Sequence, residues 1–81
     1  MPSKSVTVGS SVGLHARPAA LIAEAAGALG STVTINGVDA SSSLMIMTLG
    51  AKCGDAVEVA GDDQAAVDSI AEMVERDLDA E

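Results

Sequence analysis

One histidine and one arginine, two residues apart, are the residues of this sequence best placed to do chemistry. They stand in GLHARP, residues 13–18, ahead of the alanine-rich run AALIAEAAGALG, residues 19–30. His15 is the only imidazole in the chain. Pro18 fits the first turn of a helix, where a missing N–H costs nothing. A helix is therefore expected from Ala16, with His15 at its cap and Arg17 in its first turn. The first N–H groups of a helix have no intrahelical partner and carry the positive end of the dipole, so that end binds anions. A cation there works against the helix, which makes sense if an anion is to be held. Gly13 permits a close approach of the backbone. Other chemistries fit less well. One histidine and one cysteine are too few for a metal site. No nucleophile elbow is present, and Gly9 with Gly13 does not make a phosphate loop. A neutral imidazole can instead attack phosphorus and hold the phosphoryl group covalently. A lone histidine at a helix start is also commonly a cap or a solvated side chain, so residue types alone leave both readings open.

The elements that would position these residues follow from pattern. KSVTV, 4–8, alternates β-branched and polar residues as a strand does. Residues 9–13 are a loop. In the helix from Ala16, Leu21, Ile22, Ala25, Ala26 and Leu29 share one face, and Gly30 is a suitable stop. STVTI, 31–35, is a second strand, and Asn36-Gly37 is a hairpin turn leading to a short return strand, 38–41. SLMIMTLG, 43–50, reads as a short helix entered from serines and stopped by Gly50. After a turn, AVEVA, 56–60, is a strand. The last segment is the clearest helix, capped by Asp62 or Asp63, with Val67, Ile70, Ala71, Val74 and Leu78 in one stripe. The order is β-α-β-β-α-β-α. The hairpin demands antiparallel pairing, and helices with one apolar stripe each must cover one face of the sheet. The expected fold is an α+β two-layer open-faced sandwich, a four-stranded antiparallel sheet covered on one face by three helices, forming a single domain over 1–81.

Composition narrows the function. The 81 residues are 48% apolar with no aromatic residue, so the core must be built from Ala, Val, Leu, Ile and Met. A net charge of −8 argues against nucleic acid as a partner. Glu24 and Asp39 are the only acids before Asp55, so the region of His15 and Arg17 is nearly free of carboxylates and an anion can approach it. No apolar run approaches the ~20 residues that span a bilayer, and the N-terminus lacks a signal-peptide pattern. The single cysteine, Cys53, fits a reducing compartment. The expectation is a cytoplasmic monomer with no membrane insertion.

GLHARP resembles the active-site signature of the HPr family, the histidine-containing phosphocarriers of the bacterial phosphoenolpyruvate:sugar phosphotransferase system. SSSLMIMTLGAKCGD, 41–55, is similar to the family's second signature, a serine-led short helix ending in Leu-Gly and a further Gly. DDQAAVDSIAEMVE, 62–75, is similar to its C-terminal helix. The order of elements is also that of the family. The resemblance implies a stoichiometric carrier rather than an enzyme, with no cofactor and no metal. It implies that His15 Nδ1 accepts a phosphoryl group from the phosphohistidine of enzyme I and gives it to a histidine of a sugar-specific IIA protein or domain. Arg17 would neutralise the phosphoryl oxygens, and the backbone at Ala16, Arg17 and Pro18 would hold the phosphate at the helix end. Ser42 falls on the family's regulatory serine, a target of HPr serine kinase in some bacteria, with Ser41 and Ser43 adjacent. Leu44, Met45 and Met47 would form the docking patch for enzyme I and IIA.

The sequence departs from the family pattern in places. Val12 stands where many members carry a small polar residue. Ser43 stands where a large aliphatic residue usually follows the serine. Glu24 and Ser41 occupy docking-face positions where basic residues are common. Two other functions stand beside the sugar carrier: a carrier of a regulatory, non-sugar phosphotransfer branch, and a regulatory binding module. The module is expected to lack the active histidine, which is present here.

Overall fold

The structure, a computed structural model, describes residues 2–9, 13–14 and 16–76. The elements are β1 (Ser3–Thr7), α1 (Ala16–Leu29), β2 (Val33–Ile35), β3 (Val38–Asp39), α2 (Ser43–Thr48), β4 (Ala56–Gly61) and α3 (Gln64–Glu75). This is the expected order. The strands form one antiparallel sheet in the order β1-β4-β2-β3, and the three helices cover one face of it.

The central strand β4 shows why the sheet has a covered and an open face. Val57, Val59 and Gly61 point inward, while Ala56 and Glu58 face solvent, as period-two alternation requires. In register, Val57 lies opposite Val6, Val59 opposite Ile35, and Gly61 opposite Val33. At the hairpin, Asn36 (φ 50) and Gly37 (φ 85) both take the positive φ that a type I′ turn needs. Asn36 also prolongs the β2–β4 ladder. Its N–H donates to the Glu58 carbonyl at 2.8 Å, and its Oδ1 accepts from the Glu58 N–H at 2.8 Å.

Each helix buries one stripe. α1 buries Pro18, Ala19, Ile22 and Ala26. α3 buries Ala66, Val67, Ile70, Ala71 and Val74. Asp63, not Asp62, caps α3, accepting from the Ala65 N–H at 3.2 Å. The further stripe position expected at Leu78 lies outside the described residues. In α2 only Ile46 is buried. One fully buried isoleucine comes from each of α1, β2, α2 and α3, namely Ile22, Ile35, Ile46 and Ile70, and all four belong to one cluster.

Several local expectations are corrected. β2 and β3 are shorter than 31–35 and 38–41. After Asp39 the chain turns instead of extending, because Asp39 Oδ1 accepts both the backbone N–H (2.9 Å) and the hydroxyl (2.7 Å) of Ser41. β1 begins one residue earlier than expected and stops at Thr7. Val8 instead pairs with the turn before β4, donating to the Asp55 carbonyl at 2.8 Å and accepting from the Gly54 N–H at 2.9 Å. Leu29 lies by angle on the buried side of α1 yet is 41% exposed, because the last turn of that helix outruns its cover. The methionines described do not enter the core: Met47 and Met73 pack at its margin and Met45 is 43% exposed.

Candidate functional site

The start of α1 is built from both sides of His15, which itself lies outside the described residues, as do Ser11 and Val12. On the N-terminal side, Gly13 has φ +75 and runs against the backbone of residues 51–52 so closely that a Cβ would overlap the Ala51 carbonyl and come 2.9 Å from Lys52 Cα. The next residue, Leu14, donates its N–H to the Ala51 carbonyl at 3.0 Å and is only 2% exposed. On the C-terminal side, Ala16 and Arg17 are exposed in the first turn of α1, while Pro18 is buried beneath them. The proline therefore does more than tolerate the helix start: its ring is a core contact. No acidic side chain lies in that first turn, so the turn itself sets no carboxylate against the positive end of the helix dipole.

The second group of expected site residues lies on α2, which packs against α1. Ser42 is the N-cap, its hydroxyl oxygen accepting from the Met45 N–H at 3.4 Å. Leu44 is 67% exposed and Met45 43%, while Met47 is half-buried. The helix is six residues long, about 9 Å. Its Gly50–Ala51 end abuts residues 13–14, whereas its Ser42 end lies toward β3. The structure thus joins the start of α1 to the C-terminal end of α2 and places Ser42 at the far end. Of the neighbouring serines, Ser41 already gives its hydroxyl to Asp39. The Ser41 hydroxyl, and then its backbone N–H, hold the Asp39 carboxyl below its usual range.

A shallow cleft lined by Ala26, Gly30, Thr32, Asp39 and Ser41 sits at the opposite end of α1, about 20 Å of helix from Arg17. Among the described residues no three His, Cys, Asp or Glu side chains converge as metal ligands, and no helix is long and apolar enough to cross a membrane. What sequence reasoning missed is the turn at 51–55. It read as a mere connection, although a glycine-flanked Lys-Cys-Gly-Asp turn was the available signal.

The geometry is that of an open-faced α+β sandwich whose first helix starts from a backbone held by buried Leu14 and Pro18; a fold alone does not fix a function. Comparison with known proteins supplies the family. The family described as "PTS HPr component phosphorylation site" matches residues 2–76. The phosphocarrier protein HPr of Streptomyces coelicolor is 38% identical, over 98% of this chain and 94% of its own length. The crystal structure of HPr-C-His from Thermoanaerobacter tengcongensis superposes with a TM-score of 0.87 at 27% identity, covering 100% of this chain and 99% of that one. The crystal structure of a phosphocarrier protein HPr from Bacillus anthracis gives 0.83 at 29% identity, covering 90% and 95%. The chain belongs to the HPr family. It is a stoichiometric phosphoryl carrier, not a catalytic enzyme, and moves the group between enzyme I and IIA in sugar uptake by the phosphotransferase system.

Proposed function

We propose that His15 is the phosphoryl acceptor of this carrier and that the start of α1 is its phosphate-holding site. The Nδ1 lone pair attacks the phosphorus carried by the donor histidine of enzyme I. As the new N–P bond forms, the old one breaks and its electron pair stays on the donor imidazole. The reverse arrangement delivers the group to a histidine of IIA. The transition state is loose, so alignment and charge compensation carry the reaction. Arg17 offsets charge on the equatorial oxygens, while the N–H groups of Ala16 and Arg17 receive the phosphoryl oxygens at the positive helix end. Pro18 has no N–H to offer and serves by fixing that first turn.

One observation carries this reading. Buried Leu14 and buried Pro18 brace the backbone on either side of His15, while Ala16 and Arg17 between them are exposed. A merely solvated histidine needs no such bracing. The exposed Leu44 and Met45, with the edge of Met47, support α2 as the docking patch for enzyme I and IIA. Ser42, at the cap of α2, is the serine we assign to regulation by HPr serine kinase. We read 1–81 as one cytoplasmic, monomeric carrier domain.

The test is incubation with enzyme I and labelled phosphoenolpyruvate. His15→Ala should take up no acid-labile, base-stable label while melting like the wild type. Label retained in that variant overturns the assignment.

A further inference from the structure

We propose that Asp55 is a positioning residue for phosphoryl transfer, acting on His15 through the turn 51–55; this rests on His15 being the acceptor. The residues leading into His15 have little freedom of their own. Leu14 is tied by its N–H to the Ala51 carbonyl at 3.0 Å, and Gly13 lies against Ala51 and Lys52 with no room for a Cβ. Where the backbone of 51–52 goes, residues 13–14 must follow.

Asp55 decides where that backbone goes. Its Oδ2 accepts from the Lys52 N–H at 2.9 Å. Its own N–H donates to the Lys52 carbonyl at 2.9 Å, and its carbonyl accepts from the Val8 N–H at 2.8 Å. The Gly54 N–H closes the set on the Val8 carbonyl at 2.9 Å. One end of the turn is thereby fastened to the end of β1 and the other to the residues ahead of His15. The Asp55 carboxylate is the side chain that orients the Lys52 peptide. It is exposed, so it fills no core space. Its contribution is geometric, and geometry is what transfer between two histidines demands: a misplacement of about 1 Å can cost roughly a hundredfold in rate.

The experiment measures initial rates of transfer from phospho-enzyme I at varied concentrations of the full chain. Asp55→Ala removes the acceptor for the Lys52 N–H; Asp55→Asn keeps an oxygen there and removes the charge. Asp55→Ala is expected to lower the saturated rate about tenfold or more with little change in the half-saturating concentration. Asp55→Asn is expected to stay within about twofold of wild type, since the acceptor geometry is kept. A smaller folded fraction would instead raise the half-saturating concentration and leave the saturated rate intact, so partial unfolding cannot imitate the result. The proposal is overturned if Asp55→Ala keeps the wild-type saturated rate, or if Asp55→Asn is as slow as Asp55→Ala. His15→Ala run alongside separates the two readings: label on that variant defeats the acceptor assignment itself, whatever Asp55 does.

Discussion

Replacing Gly13 with alanine tests how tightly residues 51–52 hold the chain ahead of His15. Gly30 provides the control, because its φ is +72 against +75 for Gly13, yet a Cβ there would meet nothing within 4 Å. Both variants force an L-residue into the left-handed region, at about 1–2 kcal/mol each, and this cost cancels in the comparison. At Gly13 the added methyl overlaps the Ala51 carbonyl and Lys52 Cα, so the two backbones must part. Parting them gives up the Leu14–Ala51 hydrogen bond, about 1 kcal/mol, and draws Leu14 partly out of the core, about another 1 kcal/mol. Gly13→Ala should therefore be less stable than Gly30→Ala by about 2 kcal/mol, roughly 8–16 °C in Tm for a domain of this size. Paired thermal melts by circular dichroism, with transfer from enzyme I assayed well below both transitions, make the measurement. Gly13→Ala should also be the slower phosphoryl acceptor. Melts that coincide within about 3 °C would refute the close approach and the bracing argued from it.

Other outcomes follow from α2 and from Asp39. Ser42→Ala should cost about 1 kcal/mol through the lost cap, whereas Ser42→Asp keeps the cap but should raise the half-saturating concentration with enzyme I roughly fivefold by placing charge beside the docking patch. If Ser41→Asp or Ser43→Asp does this instead, regulation belongs to a neighbouring serine. Leu44→Ser, at a 67% exposed position, should change stability by less than about 0.5 kcal/mol and weaken docking. Ile46→Ala, two residues on and fully buried, should lose about 2–5 kcal/mol with the saturated transfer rate intact; equal destabilisation by the two would contradict the packing of α2. Ser41→Ala should let the Asp39 carboxyl titrate at higher pH than in the wild type, read by carboxyl carbon NMR, because the hydroxyl is the larger cause of its depression. A carboxylate with a depressed folded pKa contributes stability above its unfolded value of about 3.8 and loses it as pH falls through the folded value. The stability gap between wild type and Ser41→Ala should accordingly be present at neutral pH and close in acid below Asp39's folded midpoint; a gap that persists there must come from something other than this carboxylate.

Much of the fold was legible because its cues are local. The start of α1 at Ala16 follows from Pro18, the hairpin from Asn36-Gly37, and the α3 stripe from the spacing of Val67, Ile70, Ala71 and Val74. Each cue acts within one turn of helix or one pair of residues, so pattern suffices to read it. GLHARP marked the candidate site for the same reason, and two signatures in order pointed to the HPr family.

Tertiary structure decided what depends on distant partners. Six residues of α2 are under two turns, too few for a hydrophobic period to appear, so only packing selected Ile46 for the core and left Leu44 and Met45 at the surface. Position in the helix could not keep Leu29 buried, because its cover comes from elsewhere in the chain. Strand order followed the same logic: β4 sits between β1 and β2 because its Val57 and Val59 meet Val6 and Ile35 in register. The clamp of residues 51–55 on Gly13 and Leu14 joins segments far apart in sequence. A turn sequence discloses its own bend, but the contact it makes exists only once the sheet and helices have brought the two segments together.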